Sequence, residues 1–322
     1  MLEKNPEIDK AAAILRAGGL VAFPTETVYG LGADARNREA IARLYVAKGR
    51  PARHPVIVHI ADVIQLQQWA CDITPVAQKL ARAFWPGPLT LVLRRAAGVH
   101  DEITGGQDTV GIRVPSHPMA RLLLSAFGGG IAAPSANRFG HVSPTTAQHV
   151  KQEFGDSVAL VLDGGACEVG IESTIVDVTG SSPVLLRPGH ISALRIRDAT
   201  GVSPAMPAAG APRAPGTLAA HYAPRTPLEI VQAGLMEKRA QELTRDGKRV
   251  AILARVSTLR AGTAWIAAPT EAAGYAHDFY ANLRTLDAAG CAVILVEGLP
   301  GTPQWAAIND RLGRAAVGSQ RP

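Results

Sequence analysis

Val110-Gly111-Ile112-Arg113-Val114-Pro115 decides the fold class. Branched apolar residues occupy every second position and a proline stops the run, which is the pattern of a strand with one buried face. The opposite face carries Gly111 and Arg113, so open space lies beside the guanidinium. Two readings fit Arg113: an arginine reaching a carboxylate in a cleft, or an exposed strand arginine. Leu89 to Leu93, just upstream, has the same strand character, and Met119 to Phe127, just downstream, has helical character. Working outward, Leu20–Phe23, Val56–Val58, Ala159–Leu162, Thr174–Val178 and Val184–Leu186 read as further strands. Lys10 to Ala17, Glu39 to Ala47, Pro75 to Phe84 and Thr146 to Phe154 read as helices. Their irregular alternation predicts α/β (α+β) architecture: a twisted mixed sheet with flanking helices forming a concave site.

The pattern changes at Ser203-Pro204-Ala205-Met206-Pro207, which continues to Pro215-Gly216. Proline and glycine at this density predict an extended linker. A smaller, Rossmann-like α/β domain follows, with strands at Leu228–Val231, Val250–Leu253 and Val293–Val296. Its clearest helix puts Tyr275, Phe279, Leu283 and Leu286 on one face. The expected division is 1–202, a linker and active-site lid over 203–226, and 227–322.

At 322 residues, 47% hydrophobic and 19% charged, the chain is excluded from intrinsic disorder. The net charge of +6 favours anionic partners, while 5% aromatic residues argue against a surface of stacked bases. No run of about 20 apolar residues predicts a membrane helix. The polar start, Met1 to Pro6, does not read as a signal peptide. Cys71, Cys167 and Cys291 form no CxxC pair; buried structural thiols in a reducing cytoplasm are the expectation. Neither GxxxxGK[ST], HExxH nor GxSxG is present. Gly30-Leu31-Gly32-Ala33-Asp34-Ala35 satisfies GxGxxA, but no acid lies about 20 residues on, so a dinucleotide fingerprint is not expected.

Several segments carry chemistry. Pro24 to Gly32 runs from an apolar strand into hydroxyls, Glu26 and glycines, which suits either a small polar ligand or a capped turn. Lys48-Gly49-Arg50-Pro51-Ala52-Arg53-His54-Pro55 is a proline-stiffened cationic loop, able to hold a polyphosphate with little ordering entropy. His59 lies on the next strand. Ala132 to Asn137 ends a strand in small polar residues. Ser143 with Pro144 predicts a helix start at Ser143, which also favours phosphate. Glu172-Ser173-Thr174 leads into one strand and Leu186-Arg187-Pro188-Gly189 leaves another.

Taken in order, these segments resemble the YrdC-like threonylcarbamoyl-AMP synthases in their long, two-domain form. The resemblance rests on PTETVYGLG at 24–32, KxRP at 48–51, Ser135-Ala136-Asn137, Ser143, Glu172-Ser173-Thr174 and Leu186–Gly189. It continues through His221-Tyr222-Ala223-Pro224 and Ile308-Asn309-Asp310-Arg311-Leu312, and so spans nearly the whole chain. It implies synthesis of L-threonylcarbamoyladenylate from L-threonine, bicarbonate or CO2, and ATP, with release of pyrophosphate. The product feeds tRNA threonylcarbamoyl-transferase proteins that modify an adenosine beside the anticodon. It implies that Thr27, His59, Arg113, Ala133 and Ser173 hold threonine or its carbamate. Arg50, His54, Thr109, Ser135, Ser143 and Arg187 would contact ATP, Lys48 and Arg50 would act on the phosphates, and Tyr222 would be a lid residue. Mg2+ is expected with ATP, held mostly by phosphate oxygens. Some relatives carry Asn at position 54, Thr at 133 and Ser at 214, so those hydroxyl and amide contacts differ here. An RNA-binding module without catalysis is the competing class, and weak RNA binding is compatible with either. Carbamoyl transfer of the hydrogenase-maturation type would need zinc-binding Cys pairs and an acylphosphatase-like region, which the chain lacks.

Overall fold

The computed structural model describes residues 5–255 and 263–320. By contacts the chain forms two units. One runs up to Phe139 and includes Pro144–Glu168 and Glu172–Thr217; the other takes Gly140–Ser143, Val169–Ile171 and the chain from Leu218.

In the first unit the order is α1 (Pro6–Arg16), β1 (Val21–Phe23), β2 (Gly30–Asp34), α2 (Arg38–Lys48), β3 (Ile57–His59), β4 (Ala70–Cys71), α3 (Pro75–Phe84) and β5 (Leu89–Arg95). It continues with α4 (Asp101–Thr104), β6 (Thr109–Arg113), α5 (Pro118–Phe127), β7 (Ile131–Ala132), α6 (Ala147–Phe154), β8 (Leu160–Val161), β9 (Thr174–Asp177), β10 (Val184–Arg187) and α7 (Ala193–Thr200). The sheet order is β10-β9-β5-β6-β3-β7-β2-β1-β8, with β4 beside β5. Three neighbouring pairs are parallel (β3 with β6, β5 with β9, β1 with β8) and the others antiparallel, giving the mixed sheet that the sequence predicts.

The sheet has two different faces. Val58, Leu89, Leu91, Leu93, Ile112 and Val176 pack under Ile41, Leu44, Leu80 and Ile196 of the helices. Each fully buried Leu or Ile there contributes about 2 kcal/mol. On the other face Ile57, Val92, Ile175 and Leu186 lie under Ala214 of the proline-rich segment. That segment is fastened: Ala205 exchanges backbone hydrogen bonds with Pro183 and Leu185, and Arg213 donates to the Gly105 carbonyl at 2.7 Å.

Four sequence expectations change. The helix after Ser143 begins at Ala147, and Thr146, not Ser143, is its N-cap. The first helix starts at Pro6, capped by Asn5, ahead of the expected Lys10. Gly30–Asp34 is a strand although it lacks β-branched residues. Its glycines suit close packing: a Cβ on Gly32 would stand 2.8 Å from Ile131 and 2.9 Å from the Phe23 ring. Cys71 is exposed, because β4 is a two-residue edge strand.

The second unit contains β11 (Leu228–Val231), α8 (Met236–Arg245), β12 (Val250–Ala254), β13 (Ala264–Ala267), α9 (Ala272–Asp287), β14 (Val293–Glu297) and α10 (Ala306–Ser319). Its strands are parallel in the order β11-β14-β12-β13. Tyr275, Phe279, Leu283 and Leu286 form the buried stripe of α9, as their spacing predicts. No helix among the described residues is long and apolar enough to cross a membrane.

Candidate active site

The corner between β1 and β2 turns Thr25, Glu26 and Thr27 inward; all three are buried. Register places His59 of β3 beside Arg113 of β6, on the face shared with Gly111. Arg113 is 4% exposed, so it is not a surface strand arginine. Its Nη1 donates to Thr27 Oγ1 at 2.9 Å, and its Nη2 lies 2.8 Å from Glu26 Oε1. That second approach is a charge contact without hydrogen-bond alignment: Nη2 and Nε make no hydrogen bond and are buried. These two atoms form the side-on fork that matches a carboxylate. Glu26 Oε2 accepts from the Ser116 amide at 3.2 Å, which pins the acid in place.

Burial, and then the Arg113 charge, push the His59 pKa down to about 3. His59 is therefore a neutral imidazole at working pH, and its Nδ1 has no hydrogen-bond partner. The unfolded chain binds a proton at this histidine below about pH 6.5 and the folded chain does not, so stability falls as pH drops through that range. Between pH 6.5 and 5 the loss from His59 alone is about 2 kcal/mol. His117 and His190, also depressed by burial, act in the same sense. Chemical unfolding at pH 7 and pH 5 should show a smaller difference for His59→Asn than for the parent chain; equal differences would refute the assignment. Behind the corner, burial drives the Cys167 thiol up to about 12, so it is no nucleophile.

A second polar group continues along the same face. Thr90 Oγ1 and Ser173 Oγ share a hydrogen bond at 2.8 Å. Arg187 is buried; its Nη2 donates to Ser173 O at 2.8 Å and Ser173 Oγ at 3.2 Å, and its Nη1 donates to Pro215 O at 2.9 Å. The proline-rich segment is thus held over the face that carries these groups.

The cationic loop leaves α2 through Gly49, whose φ of 62° is the left-handed conformation that lets the chain turn at once. Lys48 is buried, and its Nζ donates to Ser135 O at 2.6 Å and to Asn137 O. Burial, then the neighbouring Arg50, hold its pKa well below the usual lysine value. Arg50 Nη2 donates to Pro55 O at 2.7 Å, and its guanidinium lies 5.7 Å from the Phe139 ring centre. The His54 ring is 5.4 Å from that same ring; burial, then Arg50, lower its pKa. Ala133 donates its amide to Ile57 O at 3.0 Å, and Ser135 bridges to Gly30. Contacts and register therefore run without a break from Thr27 through Arg113, His59 and Ile57 to Ala133, Ser135, Lys48 and Arg50. Thr109 starts β6 and is half-buried.

Two expected residues belong to the second unit. Ser143 is buried in the second unit, and its carbonyl accepts from Arg284 Nε at 3.5 Å. Tyr222 is also buried there, with a φ of 61°; the Arg311 guanidinium lies 5.2 Å from its ring centre and the Tyr280 ring lies 5.8 Å away. Three residues of the site had no role assigned from the sequence: Thr25 and Glu26 lie in the segment singled out at Pro24 to Gly32, and Thr90 is a lone hydroxyl in the apolar run Leu89–Leu93.

Family models match nearly the whole chain. The family model described as telomere recombination, for the Sua5, YciO and YrdC domain, matches residues 13–189. The one described as the threonylcarbamoyl-AMP synthase C-terminal domain matches residues 190–317. The chain is 40% identical to the threonylcarbamoyl-AMP synthase of Pyrococcus abyssi, over 95% of this chain and 93% of that one. It is 39% identical to the Bacillus subtilis threonylcarbamoyl-AMP synthase, over 98% and 94%. A crystal structure of P. abyssi Sua5 complexed with L-threonine superposes with a TM-score of 0.91 at 38% identity, covering 97% of this chain and 94% of that chain. With both of its units matched, this chain belongs to the threonylcarbamoyl-AMP synthase family in its two-domain form.

Proposed function

We propose that the polar face and the cationic loop together make L-threonylcarbamoyladenylate from L-threonine, bicarbonate or CO2, and ATP. The observation that carries this is the Arg113 fork: two buried donors, Nε and Nη2, with no hydrogen bond of their own, beside a neutral His59. The fork takes the threonine carboxylate, and Thr27 Oγ1 accepts from the amine. The neutral amine nitrogen attacks CO2, passes a proton to solvent water and becomes a carbamate. A carbamate oxygen then attacks the α-phosphorus of ATP, the bond to the β-phosphate bridging oxygen breaks, and pyrophosphate leaves. Arg50 and Arg187 neutralise phosphate charge, while His54, Thr109 and Ser135 supply neutral contacts. Lys48 acts by fixing the Ser135–Asn137 turn as well as by its position beside Arg50.

No activated Ser or Cys is needed, and the barrier falls through alignment and charge neutralisation under a covering segment. Among the described residues no three His, Cys, Asp or Glu side chains gather as a metal cage. In this proposal Mg2+ enters with ATP, held mostly by phosphate oxygens. The adenylate passes to the proteins that modify tRNA.

Pyrophosphate release in the presence of ATP and bicarbonate should require threonine; release independent of threonine would count against the proposal. Arg50→Ala is expected to lower threonine-dependent turnover about a hundredfold, since a charge-assisted contact to phosphate contributes roughly 1.5–3 kcal/mol. Its far-UV spectrum should stay that of the parent. Unchanged turnover would remove Arg50 from the site.

A further inference from the structure

We propose that Thr25 is a positioning residue that sets the hydrogen-bond polarity of the threonine subsite: it makes Thr27 an acceptor toward the amine. This rests on the reading of the Arg113 and Thr27 pocket given above. The argument is a proton count. Thr25 Oγ1 lies 2.6 Å from the Val28 carbonyl oxygen and 2.8 Å from Thr27 Oγ1. A hydroxyl has one proton. If Thr25 gave that proton to Thr27, two oxygens would face each other at 2.6 Å with no proton between them. Thr25 therefore donates to Val28 O, and Thr27 must donate to Thr25. The Thr27 and Val28 amides also donate to Thr25 Oγ1, at the longer distances of 3.2 Å and 3.3 Å, and share its two lone pairs with the Thr27 hydroxyl.

On its other side Thr27 Oγ1 accepts from Arg113 Nη1. Its own proton is engaged by Thr25, so the lone pair left to it can only accept. An amine N–H meets this requirement, and a ligand acceptor at the same place does not. All three residues are buried, so water cannot re-supply the lost bond. Thr25 thus acts on the substrate through Thr27 without touching it. Without Thr25, the Thr27 proton is free to rotate toward the ligand and opposes the amine.

The test is a double-variant cycle on the full chain, reading the KM for threonine and the KM for ATP from pyrophosphate release. Thr25→Val, close in shape, should raise the threonine KM at least tenfold and leave the ATP KM within about twofold. Thr25→Ser should restore the parent value. Thr25→Val combined with Thr27→Val should be no worse for threonine than Thr27→Val alone, because the first acts through the second. Additive effects, or a Thr25→Val chain with the parent's threonine KM, would overturn the inference. If Thr25→Val does not fold, Thr25→Cys, which keeps the volume and weakens acceptance, takes its place under the same criteria, measured with reductant. Parent chain that releases pyrophosphate only with threonine, alongside a failed cycle, rejects Thr25 alone; a parent chain without threonine dependence rejects the underlying function.

Discussion

Arg113→Lys is expected to raise the KM for threonine about a hundredfold or more, with little change in the KM for ATP. Lysine keeps the charge beside Glu26, so the buried carboxylate is not stranded, but an ammonium is a point donor and cannot present two parallel N–H groups to a carboxylate. Each charge-assisted hydrogen bond contributes roughly 1.5–3 kcal/mol, and losing two exceeds the ~2.7 kcal/mol that corresponds to a hundredfold change. Arg113 also donates to Thr27, so the lysine chain further loosens the hydroxyl facing the amine. Steady-state pyrophosphate release with threonine varied at saturating ATP measures the effect directly. A threonine KM equal to the parent's would show that the fork holds no substrate.

The strands that build this site were legible because their alternation is enforced by a helix-packed face: Leu89, Leu91 and Leu93 on one side leave Thr90 and Val92 on the other. Arg113 was legible by the same rule, as the partner of Gly111 on the open face, but its burial was not. Burial depends on Glu26 and Thr27, 86–87 positions earlier in the chain, and no local pattern carries that pairing. Gly30–Asp34 hid for the opposite reason. Its glycines lower strand propensity while allowing the approach of Phe23 and Ile131, so a tertiary contact overrides the local preference. The Ser143-Pro144 pair misled because both residues fit a helix start, while Thr146, whose side chain accepts from the His149 amide at 3.2 Å, holds that place. Thr27, His59, Ala133, Ser135 and Arg187 came from the order of short motifs, which resembles a family. Spacing alone would not have joined them.

Gly189→Ala is expected to destabilise the first unit by about 3 kcal/mol and to abolish most threonine-dependent turnover. A Cβ there would stand 2.4 Å from Thr174 N, 2.7 Å from the Ser173 carbonyl carbon and 2.8 Å from Glu172 O. All three are backbone atoms at the start of β9, so no flexible side chain can move aside. The turn cannot simply lift either, because Thr174 Oγ1 both donates to Ile191 O and accepts from Ile191 N, each at 2.9 Å. Arg187, two residues upstream, grips Ser173 O and Ser173 Oγ, so any shift of this turn relative to β9 pulls the arginine from the hydroxyl it orients. Gly180→Ala is the matched control: a Cβ at that position meets nothing within 4 Å. Urea unfolding and pyrophosphate release on both variants should separate them. Parent-like stability in Gly189→Ala would mean that the β9 start yields under a methyl group, and Ser173 and Arg187 would then lose their standing as a rigid pair.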